Sequence, residues 1–164
     1  MNNEMELIFD AVSSNEGLAR VAVAAFVSCL NPTLEELSDI KTAVSEAVTN
    51  AIIHGYGNLF GYSRHGEVRP VAPEYHEGKV RLHCLLNHGI LEVEVEDHGK
   101  GIEDIEKAME PLFTTRPELE RSGMGFSFME AFMEDLQVES EPQKGTVVRM
   151  KKKLTSDAWN GGEA

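Results

Sequence analysis

The chain has 164 residues, 41% of them hydrophobic, which fits one domain with a substantial core and excludes a disordered polymer. Acidic side chains number 28 against 15 basic ones, a net charge of −13, which argues against sequence-independent binding to nucleic acid, since that needs a basic face. No apolar run reaches membrane-spanning length. The first residues, Met1 to Glu6, lack the basic start and apolar stretch of a signal peptide, so a cytoplasmic protein is expected.

Met5 to Phe9 reads as a short strand. Asn15 is placed to cap a helix from Glu16 to about Leu30, with an apolar stripe of Leu18, Val21, Ala22, Ala25, Phe26 and Leu30. Asn31-Pro32-Thr33 breaks the chain. Thr33 and Glu36 then form a capping box ahead of a helix striped by Leu34, Leu37, Ile40, Val44, Val48 and Ile52, ending near Gly55. Residues 57–78, with four glycines and two prolines among mixed polar and aromatic residues, read as a long loop or insert. Val80, Leu82, Cys84 and Leu86 alternate, Asn87-His88-Gly89 turns, and Leu91, Val93 and Val95 alternate with glutamates, the pattern of a hairpin. A short helix over 102–109, a polar surface loop over 111–122 and a helix from about Gly123 to Asp135 follow. Leu136 to Ser140 and Thr146 to Lys153 make a second strand pair, and residues 155–164 read as a flexible tail. Cys29 and Cys84 fall at apolar-periodic positions in different elements, so two buried thiols are expected rather than a disulfide or a metal site. Helices interleaved with hairpins predict an α+β fold, a two-layer sandwich with a mixed or antiparallel sheet covered on one face by helices.

Three polar constellations interrupt this pattern. Glu46 and Asn50 lie four residues apart and share one helix face, away from the Val44 and Val48 stripe. Alone, that spacing is more often a solvated face. Aimed into a pocket, the pair offers oxygen ligands for magnesium or an acceptor for a proton. Asp97-His98-Gly99-Lys100-Gly101 ends a strand on an acid followed by two glycines. It is either an ordinary turn or a carboxylate able to accept from an exocyclic amine, with glycines letting the backbone pass close to a flat ring. Arg121-Ser122-Gly123-Met124-Gly125 opens an apolar helix. It is either a cap or an anion site at a helix N-terminus, with Arg121 able to reach a phosphate. The P-loop pattern G-x-x-x-x-G-K-[ST] is absent.

In combination and in order, the three constellations resemble the nucleotide-binding boxes of the GHKL superfamily, which includes gyrase and the histidine kinases. The longer stretches 45–56 and 111–126 are more specific, and resemble the anti-sigma-F family of serine-protein kinases from spore-forming bacteria. The resemblance covers roughly residues 1–56 and 79–154. It implies a single ATP-binding kinase domain over 1–154, with ATP and Mg²⁺ as cofactors. Asn50 would hold the magnesium, and Glu46 would be the general base toward a serine of an anti-anti-sigma protein. Asp97 would hold the adenine amine, with Gly99 and Gly101 shaping its pocket and Thr146 adding a polar contact. Gly123 and Gly125 would admit the phosphates, Arg121 would steady the γ-phosphate, and a lid over 114–122 would contribute Thr114 and Thr115.

The resemblance also implies a sigma factor held in the ATP-bound state and the anti-anti-sigma partner held in the ADP-bound state. Arg20 matches a sigma-contacting position, and Thr49 adjoins the metal ligand and the surface. The family is dimeric through its first strand and first helix, a role that Met5, Leu7, Phe9 and Phe26 suit as well as they suit a core. The family usually carries a shorter connection where this chain has residues 57–78. A general-stress anti-sigma kinase, or an ATP-dependent sigma-binding module with negligible phosphotransfer, fits the same boxes less closely.

Overall fold

The computed structural model describes residues 2–56, 60–62, 68–70, 78–111 and 125–155. Strand β1 (Asn2–Asp10) leads into helix α1 (Ser14–Val27), a single 3₁₀ turn (Ser28–Leu30), and helix α2 (Leu34–Asn50), which runs on into a π-helical turn (Ala51–Gly55). Two short strands, β2 (Phe60–Tyr62) and β3 (Val68–Pro70), pair antiparallel within the long connection. Strands β4 (Lys79–Asn87) and β5 (Ile90–Asp97), helices α3 (Ile105–Ala108) and α4 (Gly125–Phe132), and strands β6 (Asp135–Glu141) and β7 (Gly145–Lys153) complete the order.

The main sheet runs β1-β4-β5-β7-β6, with every neighbouring pair antiparallel. The β4–β5 hairpin is tight because His88 (φ 49°) and Gly89 (φ 77°) both take left-handed backbone between the paired Asn87 and Ile90, the geometry that matches strand twist. Alternation sorts the two faces. Val80, Leu82, Cys84, Leu86, Leu91, Val93, Val95, Val148 and Met150 are buried together with residues of α1, α2 and α4. On the other face, Arg81 pairs with Glu6 (2.6 Å) and Glu94 (2.7 Å), and Arg149 pairs with Glu94 (2.7 Å) and Glu139 (2.9 Å), stitching β1, β4, β5, β7 and β6 across the open surface. The expected two-layer α+β sandwich is therefore the observed one.

Helix α2 is the central helix and packs against both α1 and α4. Its predicted capping box forms, with Glu36 N–H donating to Thr33 Oγ1 (3.1 Å) and Thr33 N–H to Glu36 Oε2 (2.8 Å). Glu36 also accepts from the N–H and the hydroxyl of Thr155 (both 2.7 Å), tying the start of α2 to the chain beyond β7.

The first helix differs from expectation. It begins at Ser14, and Asn15 donates instead to the Asp10 carbonyl (2.9 Å). Its buried stripe is Ala19, Val23 and Val27, while Leu18 and Val21 are 52% and 61% exposed. The helix is apolar on nearly every side, so two stripes satisfied the same period, and small Ala19 sits at the close packing. Leu34 is likewise exposed at the edge of α2. Phe9 belongs to the core, with Met5, Leu7 and Phe26 packed against it. Cys84 is buried as expected, but Cys29 is exposed. The 3₁₀ turn advances the chain by three residues per turn rather than 3.6, which brings Leu30 inward and leaves Cys29 outside.

Candidate functional site

A cavity of about 490 Å³ opens between α2, the end of β5, α3, the start of α4 and the β6–β7 turn. One continuous face of α2 and its π-helical extension supplies Ala47, Asn50, Ala51, His54 and Gly55 to its wall, spaced as neighbours on a helix surface are.

At one end stand Glu46, Asn50 and Gly125. A Cβ atom added to Gly125 would lie 3.2 Å from Glu46 Oε2, 3.2 Å from Asn50 Nδ2 and 3.3 Å from Asn50 Oδ1. The bare backbone at the start of α4 therefore rests on the two polar side chains of α2, and the third constellation meets the first. Asn50 Oδ1 is shut off from solvent and accepts no hydrogen bond among the described residues. A buried carbonyl oxygen left so is costly unless something binds it. It fits a hard cation such as magnesium, which takes oxygen ligands and is completed by phosphate and water. No group of three or more His, Cys, Asp or Glu side chains able to hold a metal by themselves occurs among the described residues.

Behind the cavity wall lies Asp97, 4% exposed, on the last position of β5 opposite the wall residue Thr146. Burial pushes its carboxyl up to about 6, against the opposing hydrogen bonds from the N–H groups of Gly99 (2.9 Å) and Thr146. Glycines enclose it. A Cβ on Gly99 would overlap the Gly55 carbonyl, and one on Gly145 would overlap the Asp97 carbonyl. Gly101 takes φ +72° while packed against the Glu141 carbonyl, a conformation that an L side chain rarely adopts. The Lys100 N–H donates to the Gly55 carbonyl (2.9 Å) and the Gln143 N–H to the Lys100 carbonyl (2.7 Å), so the D-x-G-x-G segment is fastened on both sides. Tyr56 accepts from the His98 N–H (2.7 Å) and donates to the Lys79 carbonyl (2.7 Å). Thr146 Oγ1 shares a hydrogen bond with Ser140 Oγ (2.8 Å), which also accepts from the Ile102 N–H (2.8 Å).

The structure thus puts Asn50, Gly125, Gly101 and Thr146 on the cavity wall, with Glu46 beside Gly125 and with Asp97 and Gly99 next to the wall rather than on it. Thr114, Thr115, Arg121 and Gly123 lie outside the described residues. Arg20 borders a separate groove of about 480 Å³ with Leu34, Leu37, Ser38, Lys41, Thr42 and Ser45, and stands 3.8 Å from Glu16. Thr49 is partly buried and lines neither hollow. His54, Gly55, Tyr56, Ser140 and Gly145 have no site role in the sequence reading, although the first three fall in the 45–56 stretch. Gly55-Tyr56 looked like a helix stop and Gly145 like a hairpin turn, and only their placement against Asp97 and the cavity distinguishes them.

A family model described as "Histidine kinase-like ATPase domain" matches residues 10–152. An anti-sigma F factor of Clostridium botulinum (strain Eklund 17B / Type B) is 54% identical over 152 residues, 93% of this chain and 95% of that protein. The anti-sigma F factor of Bacillus subtilis (strain 168) is 50% identical over 155 residues, 94% and 95% of the respective lengths. Among solved structures, the RsbU and RsbW domains of Rv1364c from Mycobacterium tuberculosis share the fold, with a TM-score of 0.62 at 18% identity over 93% of this chain and 32% of that longer one. The chain belongs to the histidine kinase-like ATPase domain family and, within it, to the anti-sigma F factors.

Proposed function

We infer that the protein binds ATP and Mg²⁺ in the cavity, phosphorylates a serine of an anti-anti-sigma partner, and sequesters a sigma factor of the F class while ATP is bound. The observation that carries this reading is the seating of Gly125 on Glu46 and Asn50, beside a carbonyl oxygen that lacks a partner among the described residues.

Asn50 would hold the metal through Oδ1, and the ion would supply neutralisation of phosphate charge. The phosphates would sit against the bare backbone of Gly125 in α4, since the start of a helix offers N–H donors to anions. Glu46, one helical turn before Asn50, accepts the proton of the attacking serine hydroxyl or orients that hydroxyl. Asp97 accepts from the adenine amine, and the glycine-lined backbone around it admits the ring. Thr146 adds a polar contact at that end. Arg121, Gly123 and the threonines of the 114–122 lid complete the phosphate end in this reading, and the lid reports whether the γ-phosphate is present.

Arg20 and its groove serve the sigma factor, and Thr49 contributes beside the metal ligand. A homodimer forms through β1 and α1, where exposed Leu18 and Val21 supply the apolar surface. The test is incubation with ATP·Mg²⁺ and the anti-anti-sigma protein. Phosphoserine should appear on that protein, and retention of a sigma factor should require ATP. Tight ATP binding without phosphoserine would reduce the function to a nucleotide-gated binding module.

A further inference from the structure

We propose that Lys152 is a positioning residue for the phosphate end of the cavity, an inference that rests on the nucleotide reading above. The alternation of β7 turns Thr146, Val148 and Met150 toward the helices and continues to Lys152, opposite Leu91. A lysine stands where the pattern calls for an apolar side chain. It is 12% exposed, and its ammonium donates to the Phe132 carbonyl (2.6 Å) and pairs with Asp39 Oδ2 (3.0 Å).

The two partners explain the choice. Phe132 is the last residue of α4, and its carbonyl belongs to the turn that a helix leaves without internal donors, at the negative end of its dipole. Asp39 lies on α2, about two turns before Glu46. One ammonium therefore ties the far end of α4 to the helix that carries Glu46 and Asn50. At its near end, α4 sets Gly125 on those same side chains.

Between the two ends, buried Met129 holds the helix to the core. Apolar burial is non-directional, so it resists separation of the helices more than sliding along their axes. The directional contacts of Lys152 fix the sliding coordinate. Because Gly125 lies on the same helix within about two turns of Phe132, a shift at Phe132 reaches Gly125. Lys152 itself lines no part of the cavity. The adenine end is built from β5, Gly55 and the β6–β7 turn, so it is independent of this clasp.

The experiment compares ATP·Mg²⁺ and adenosine binding by the full chain in the wild type, Lys152→Met, Lys152→Arg and Asp39→Asn. Methionine keeps the apolar stem and removes the charge. Lys152→Met should bind ATP on the order of tenfold more weakly with adenosine affinity unchanged, and its phosphotransfer kcat should fall on the order of tenfold to a hundredfold. Lys152→Arg should recover most of both, and Asp39→Asn should show a smaller loss of the same kind. Should Lys152→Met fail to fold, Asp39→Asn reads the same ATP-to-adenosine ratio. Equal losses for both ligands, or no loss for either, would overturn the positioning role. A wild type that binds ATP no better than adenosine would overturn the nucleotide reading as well, and is recognisable because no variant is needed to see it.

Discussion

Gly55 presses on the Asp97 carboxylate so closely that a Cβ atom on it would stand 2.8 Å from Oδ1. The end of the α2 extension is therefore the lid over the acid at the end of β5. That packing keeps Asp97 dry and raises its carboxyl from 3.8 to about 6.

A pH dependence follows. The folded protein holds the Asp97 proton to higher pH than the unfolded chain does. This group therefore favours folding at low pH, and that contribution, about 3 kcal/mol, is lost as pH rises from about 4 through 6. An amine donor from adenine favours the ionised carboxylate, so adenosine affinity should rise as pH increases toward 6 and then level off. Calorimetric titration of adenosine, whose sugar carries no titrating phosphate, checks this. The slope should vanish in Asp97→Asn.

Asn50→Ala should retain adenosine binding but lose about a hundredfold or more in phosphotransfer, because the side-chain oxygen facing Gly125 is removed. Phosphoserine on the anti-anti-sigma protein is the readout. Unchanged transfer would remove Asn50 from the site.

Glu36→Ala should cost about 3 kcal/mol of stability, since it removes half of the α2 capping box and both hydrogen bonds to Thr155. Burial by itself would raise the Glu36 carboxyl, but the bonds from Thr155 and Thr33 prevail and bring it down from 4.5 to about 2. Its contribution is thus full above about pH 4.5 and lost as pH falls toward 2. Denaturant unfolding at pH 7 and pH 3 should show the wild-type advantage over Glu36→Ala shrinking in acid.

Arg20→Glu should weaken sigma-factor retention at least about tenfold through charge reversal at a desolvated contact, with ATP affinity unchanged. Arg20 borders its own groove, which shares no residue with the nucleotide cavity. Pull-down of the sigma factor beside ATP titration separates the two effects, and parallel loss of both would indicate misfolding.

The local alphabet of the chain determined a good deal by itself. The capping box at Thr33 and Glu36, the β4–β5 hairpin, and the three polar constellations are all short-range patterns, set by helix period, strand alternation and turn chemistry. Such patterns survive in a linear reading because their partners lie within a few residues. Other features depended on what packs against what. Helix α1 carries two apolar stripes of equal period, and the choice of Ala19, Val23 and Val27 over Leu18 and Val21 came from the surface it met. Gly55 and Gly145 looked like punctuation until the fold laid them on Asp97. Lys152 is the middle one of three consecutive lysines, and only the fold turns it inward onto Asp39 and the end of α4. In each case the deciding contact joins residues far apart in the chain, and periodicity carries no record of a partner that distant. Sequence therefore set the parts of the site, while tertiary packing set which side chains face each other across it and which of them are shut off from water.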